Sequence, residues 1–208
     1  LVRQFYSPAQ IQNLLPELLE PCGTVVKVAV LTGLRIGEIL ALGWKRVDLL
    51  HGTLEVAETY SDGFFGSPKT RSSERVIPMC KELTKLFMKS RSESLLTGPD
   101  DLAFTTIKGT PLNPKNLYNR VLAPACDLMG QPRVSWHSFR HTHATQLAEV
   151  GESIKTAQAL LGHSDLETTL NTYAHAIPSS QRRAVGLVSG VLVSNVLKLD
   201  ENTSVVKN

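Results

Sequence analysis

Apolar positions along the chain keep two rhythms, one helical and one extended. Ile11, Leu14, Leu15, Leu18 and Leu19 recur at the spacing of one helix face. Ser7 and Pro8 ahead of them supply an N-cap and a first-turn proline. Pro21 to Gly23 breaks that stretch, and Val25 to Thr32 is expected to form a second helix closed by Gly33. Ile36, Ile39, Leu40 and Leu42 carry the next stripe. Trp44 to Leu50 and Thr53 to Thr59 read as strands joined by a turn at His51 and Gly52. Gly63 to Ser67 reads as a loop with two exposed phenylalanines. Ser67 to Pro78 reads as a β-hairpin with a Ser72-Ser73 tip and Lys69 on its first arm.

The helical rhythm then returns. Leu83, Leu86 and Phe87 face inward on an amphipathic helix from Lys81 to about Ser94. Leu95 to Asp101 is a loop and Leu102 to Thr105 a short extended piece. Asn113 and Pro114 start a helix that runs to about Met129, with a kink or break at Pro124. After a loop at Gly130 to Arg133, a helix is expected over Ser138 to Glu149, turning Phe139, Leu147, Ala148 and Val150 toward a core. Ser153 caps a second helix from Ile154 to Leu161, and Gly162 ends it. Ser164 to Glu167 fits a capping box opening a third helix, with Tyr173 at or near its end. His163 is thereby placed in a tight polar turn. The expected fold is α+β: a mostly helical domain, residues 1–184, with one small antiparallel sheet carrying Lys69. Residues 185–208 form a valine-rich, then polar tail, which docks on its own core or on a neighbouring protomer, with its last residues disordered.

Composition narrows the picture only a little. The chain has 208 residues, 42% of them hydrophobic, enough to bury a sizeable core. Its net charge of +3 does not by itself mark a nucleic-acid binder. Lys69, Arg71, Arg75, Lys81, Lys85, Lys89 and Arg91 nevertheless outnumber Glu74, Glu82 and Glu93 in one stretch. That run is either a solvated face or a phosphate-tracking surface. Cys22, Cys80 and Cys126 are scattered and form no C-x-x-C pair, so neither a zinc site nor a disulfide framework is indicated, and reduced thiols in the cytoplasm are expected. There is no N-terminal signal and no apolar run of bilayer length. The chain opens on Leu1, as a fragment of a longer chain would.

Candidate chemistry concentrates in two places. His137 and Arg140, three apart, share a helix face near its first turn, where free N–H groups and the dipole favour a phosphate. Arg140 adds a planar fork matched to two phosphate oxygens. Arg35 lies among apolar residues and requires a partner. It is either one half of a buried pair with Glu38, or an arginine aimed at a phosphate and held by Glu38. Each candidate taken singly has a plain structural reading. Tyr173 can be a packed helix-end tyrosine, His163 a turn residue, and His137, His141 and His143 surface histidines. His137 and His141 have the i, i+4 spacing of zinc ligands, but Arg140 lies between them and no glutamate base accompanies them.

Four segments, TGLRIGEILAL, SPKTRSSERVIP, HSFRHTHAT and LLGHSDLETTLNTYAH, occur in this order from Thr32 to His175. Together they closely resemble the catalytic domain of tyrosine recombinases, the phage integrase family, over nearly the whole chain. The resemblance implies that Tyr173 attacks a DNA phosphodiester to form a 3′-phosphotyrosyl link. Arg35 and Arg140 would clamp the non-bridging oxygens and His163 would donate a hydrogen bond to one of them. His137 would act in proton transfer at the tyrosine, and Lys69 would protonate the leaving 5′-oxygen. It further implies a site-specific recombinase or integrase acting on double-stranded DNA with no metal, ATP or cofactor, monomeric alone and tetrameric on paired sites. Type IB topoisomerase-like cleavage and a non-catalytic helix-turn-helix module are the alternatives. Gly37 stands where the family commonly has a serine or similar small residue, and little consequence is expected. The helical DNA-clamping domain that usually precedes this one is absent from the chain, so weak or no cleavage by the isolated chain is expected.

Overall fold

The computed structural model describes residues 5–68, 73–164, 167, 169, 170 and 187. Lys69, Tyr173, Asp165 and Leu166 of the expected capping box, and all of the tail but Leu187 therefore fall outside what can be described.

Helix α1 (Pro8–Leu14) opens on Ser7, whose hydroxyl accepts from Gln10 N while the Gln10 side chain accepts from Ser7 N, a reciprocal cap. Pro16 turns its end into a 3-10 turn, Leu15–Glu17, and Leu19 is left exposed rather than on the buried stripe. Helix α2 (Cys22–Thr32) is buried along Cys22, Val25, Val26, Val28 and Ala29 and stops at Gly33, whose φ of 66° suits glycine. Helix α3 (Ile36–Leu40) follows at once.

Trp44 to Leu50 is not one strand. Trp44–Arg46 is a 3-10 turn, and only Val47–Asp48 (β1) is extended. It pairs with β2 (Thr53–Val56), which pairs in turn with β5 (Arg75–Pro78), giving an antiparallel order β1-β2-β5 with Leu54 opposite Ile77. β3 (Thr59–Ser61) and β4 (Phe64–Gly66) make a separate two-stranded ribbon. The supposed loop at Gly63 to Ser67 is thus a strand, although Phe64 and Phe65 are exposed as expected. β5 pairs with β2, and the expected hairpin arm that carries Lys69 lies outside the described residues. β3 runs so close to α3 that a Cβ on Gly37 would lie 2.7 Å from both Thr59 Oγ1 and Tyr60 O. A serine there would force the ribbon to move, so the glycine matters here, contrary to the expectation of little consequence.

Helix α4 (Lys81–Glu93) buries Leu83 and Phe87. α5 (Pro114–Leu117) and α6 (Ala123–Leu128) are joined by a π-turn, Tyr118–Leu122. Pro124 has no N–H for an i−4 bond and its ring crowds that carbonyl, and the wider turn just before it accommodates both. Helix α7 (Trp136–Val150) begins two residues before Ser138 because Ser135 and Ser138 cap it reciprocally. Val150, expected in the core, is exposed. Helix α8 (Ile154–Leu161) starts at Ser153 and ends at Gly162, as read. One apolar core joins α1–α4, the three-stranded sheet, α6 and the start of α7. A smaller cluster of Ala144, Ala148, Ala157 and Leu161 seats α8 on α7. Small side chains at that seam allow close approach of the two helices, which fixes the Gly162 turn relative to Arg140.

Candidate active site

α7 lies across α2, tied to the body by Thr142 Oγ1, which donates to Tyr6 O at 2.8 Å, and by His143 Nδ1, which donates to Val30 O at 2.8 Å. His143 is thus a structural strut, and burial holds its pKa below the ordinary histidine value. The same placement drives the Arg140 side chain inward, where the residue is 2% exposed. Its Nη1 donates to Gly33 O at 2.7 Å and its Nη2 to Leu161 O at 2.6 Å. Those carbonyls lie two residues before Arg35 and two before His163. One guanidinium therefore brings together three residues that are far apart in the chain. Arg140 Nε is buried with no hydrogen-bond partner among the described residues. A buried donor left in that state costs about 1–3 kcal/mol.

The pairing of Arg35 with Glu38 is present. As N-cap of α3 it donates its backbone N–H to Glu38 Oε2 at 2.9 Å and Nη1 to Glu38 Oε1 at 2.8 Å. Yet its side chain is 40% exposed against 3% for Glu38, so the cation is held without being enclosed.

The residue that sequence reasoning left within the basic run, as part of a solvated face or of a phosphate-tracking surface, is Arg75. Its side chain is only 7% exposed, and Nη2 donates to Glu38 Oε2 at 3.1 Å. Ile77, on the same face of β5, is buried, and that two-residue alternation was the available signal. Burial alone would raise the Glu38 pKa. The hydrogen bonds and charge of Arg75, followed by those of Arg35, outweigh it and hold the carboxyl below its ordinary range.

Charge is therefore in excess. Arg140 feels two cations, Arg35 and Arg75, against one carboxylate, Glu38. Burial first, and then this imbalance, lowers its pKa to about 9. His163 is 8% exposed, with Nδ1 2.9 Å from Thr169 Oγ1. Burial, followed by Arg140, Arg35, His137 and His141, pushes its pKa down to about 3. It is neutral at physiological pH and its ring is available as a hydrogen-bonding group. His137 is exposed, and its ring meets that of His141 edge-on at 4.7 Å. Among the described residues no cluster of three or more His, Cys, Asp or Glu is arranged to hold a metal ion.

The depressed His163 value has a consequence for stability. The unfolded chain takes up a proton near the ordinary value of about 6.5, whereas the folded chain resists until about 3. Stability from this group is thus intact above about pH 6.5 and declines as pH falls toward 3, by up to about 1.4 kcal/mol per pH unit. Urea unfolding of wild type and His163→Gln across this window should show a shallower pH slope in the variant. Parallel slopes would contradict the assignment.

The model of the phage integrase family matches residues 6–179. The ICEBs1 integrase of Bacillus subtilis (strain 168) is 31% identical over 203 residues, covering 91% of this chain and 55% of that protein. Tyrosine recombinase XerD of Pseudomonas aeruginosa is 31% identical over 179 residues, covering 81% and 56%. Among solved structures, the Tn1549 transposon integrase in complex with transposon right end DNA superposes with a TM-score of 0.74 at 25% identity, covering 89% of this chain and 66% of that one. The XerA recombinase shares the fold at a TM-score of 0.68 and 22% identity. The family match and the fold identify a tyrosine recombinase catalytic domain. The chain belongs to the phage integrase family, and it spans about half the length of the curated relatives it matches.

Proposed function

We propose that this protein is a site-specific DNA recombinase that cleaves and rejoins strands through a 3′-phosphotyrosyl intermediate. The observation that carries the reading is the excess of fixed cations, three guanidinium groups against one carboxylate that pairs with only two of them, beside a neutral buried histidine. Such an arrangement attracts an anion, and it stabilises one that gains charge during reaction most of all. In this reading Arg35 and Arg140 bind the non-bridging oxygens of a scissile phosphate, and His163 donates to one of them. Tyr173 Oη attacks phosphorus, giving up its proton with the help of His137, as the bond to the 5′-oxygen breaks. Lys69 supplies the proton that the 5′-oxygen takes. The reverse step with a new 5′-hydroxyl rejoins strands, and since phosphodiester and phosphotyrosyl bonds exchange, no ATP is consumed. None of these roles calls for a metal.

The buried His163 also weighs against a helix-turn-helix that reads bases, because its turn faces Arg140 rather than solvent. The relatives solved with DNA support a DNA substrate, and we propose duplex DNA with four copies acting on two paired sites. No helix among the described residues is long and apolar enough to cross a membrane. We assign the protein to the cytoplasm, where its DNA substrate lies. The test is covalent capture. The protein is incubated with nicked duplexes from a randomised pool, denatured, and the retained DNA adduct is mapped by mass spectrometry. A phosphotyrosyl group on Tyr173 is expected. Adducts on another residue, or strand cleavage with no adduct, would end this reading.

A further inference from the structure

We propose that Arg75 is a positioning residue for strand cleavage, one that fixes the spacing of the phosphate-binding segments without touching the phosphate. The proposal rests on the recombinase reading above. Nε of Arg75 donates to Leu160 O at 2.7 Å. Nη1 donates to Ser73 O at 2.8 Å, and Nη1 and Nη2 reach the Glu38 carboxylate at 3.4 and 3.1 Å. Each acceptor belongs to a different part of the site. Leu160 is three residues before His163, Ser73 four after Lys69, and Glu38 three after Arg35. A guanidinium is a rigid planar fork, so three acceptors on one fork have their mutual distances set by its geometry.

The end of α8 shows why this matters. The last carbonyls of a helix lack intrahelical donors and carry its negative dipole end. Here two successive ones are taken by two different arginines, Leu160 O by Arg75 and Leu161 O by Arg140. The His163 turn that follows is pinned from both sides, and the Arg75 pin leads directly to the carboxylate that holds Arg35. All three nitrogens of Arg75, Nε included, are taken by protein acceptors, whereas Arg140 Nε has none among the described residues, so we assign Arg75 to positioning and not to phosphate binding. A lysine in its place would keep the charge but has a single ammonium, which cannot span the three acceptors.

The test compares Arg75→Gln and Arg75→Lys with wild type in single-turnover cleavage of the nicked duplex recovered by covalent capture, from acid to neutral pH. For Arg75→Gln the rate should fall on the order of 100-fold, the usual cost of a misplacement of about 1 Å. Its acid limb should move to higher pH, because Glu38 loses the largest of the interactions that keep it ionised. Arg75→Lys should leave the acid limb in place while the rate stays at least about 10-fold down. If Arg75→Gln fails to fold, Arg75→Lys alone decides, and a wild-type rate in it overturns the proposal. So does a wild-type rate in Arg75→Gln, or a slow rate with an unmoved pH profile. Wild type tested at full length that forms no adduct removes the recombinase reading and this proposal together. An active wild type with unaffected variants removes only this one.

Discussion

Arg140→Gln should leave a folded protein whose strand cleavage is slower by at least about 10²–10³-fold, the usual effect of losing one fixed donor to a developing oxyanion. The side chain is the hub of the site, buried between Gly33 O and Leu161 O. Glutamine is shorter, neutral and unable to reach both carbonyls. Two stability effects oppose each other in this variant. Removing a cation that is buried among other cations relieves an unfavourable field. Leaving the two carbonyls without donors costs about 1–3 kcal/mol each. The urea midpoint should therefore shift modestly while the rate collapses. Single-turnover cleavage of the nicked duplex together with a urea melt separates the two, and near-normal cleavage in a folded Arg140→Gln protein would contradict the assigned role.

Glu38→Gln should have the largest effect on folding. The carboxylate is 3% exposed and accepts from Arg35 N, Arg35 Nη1 and both Arg75 Nη atoms. Removing one partner of a buried ionic cluster typically costs about 3–5 kcal/mol, because the remaining charges lose their compensation. A glutamine NH₂ would also face a guanidinium donor. The pH dependence has a definite sign. Glu38 is held below the ordinary carboxyl value when folded, so its stabilisation is present above the unfolded value of about 4.3 and is lost as pH falls through the folded one. Chemical unfolding of wild type and Glu38→Gln should thus differ most near neutrality and converge in acid. A constant difference across pH would show that packing, not charge, makes the contribution.

Local signals in the chain were read reliably, because their causes are local. Ser7, Ser153, Gly33 and Gly162 cap or end helices as their chemistry requires. The strands were harder. Trp44 to Leu50 has strand-like composition, but a 3-10 turn occupies its first part. The β3–β4 ribbon was missed although it carries a strong hairpin cue, Asp62-Gly63, with φ of 49° and 92°. Two exposed phenylalanines obscured it. Of the six candidate site residues, Arg35, Arg140 and His163 are drawn together by Arg140, and His137 lies near enough to act on His163. Lys69 and Tyr173 fall outside the described residues, so their places rest on the family resemblance. Arg75 was missed because its burial depends on pairing with β2, a contact about twenty residues distant in the chain, which charge counting cannot sense.

The hub arginine is gripped by main-chain oxygens, and this bears on how the site tolerates heritable change. Leucine at 161 can be exchanged for another residue without deleting the oxygen that Arg140 grips. Drift in neighbouring side chains therefore leaves the grip chemically intact so long as the helix ends stay where they are. Vulnerability shifts instead to positions that govern backbone path. Chief among them is Gly33, where any Cβ would lie 2.7 Å from a Leu161 methyl and 2.8 Å from the His143 ring.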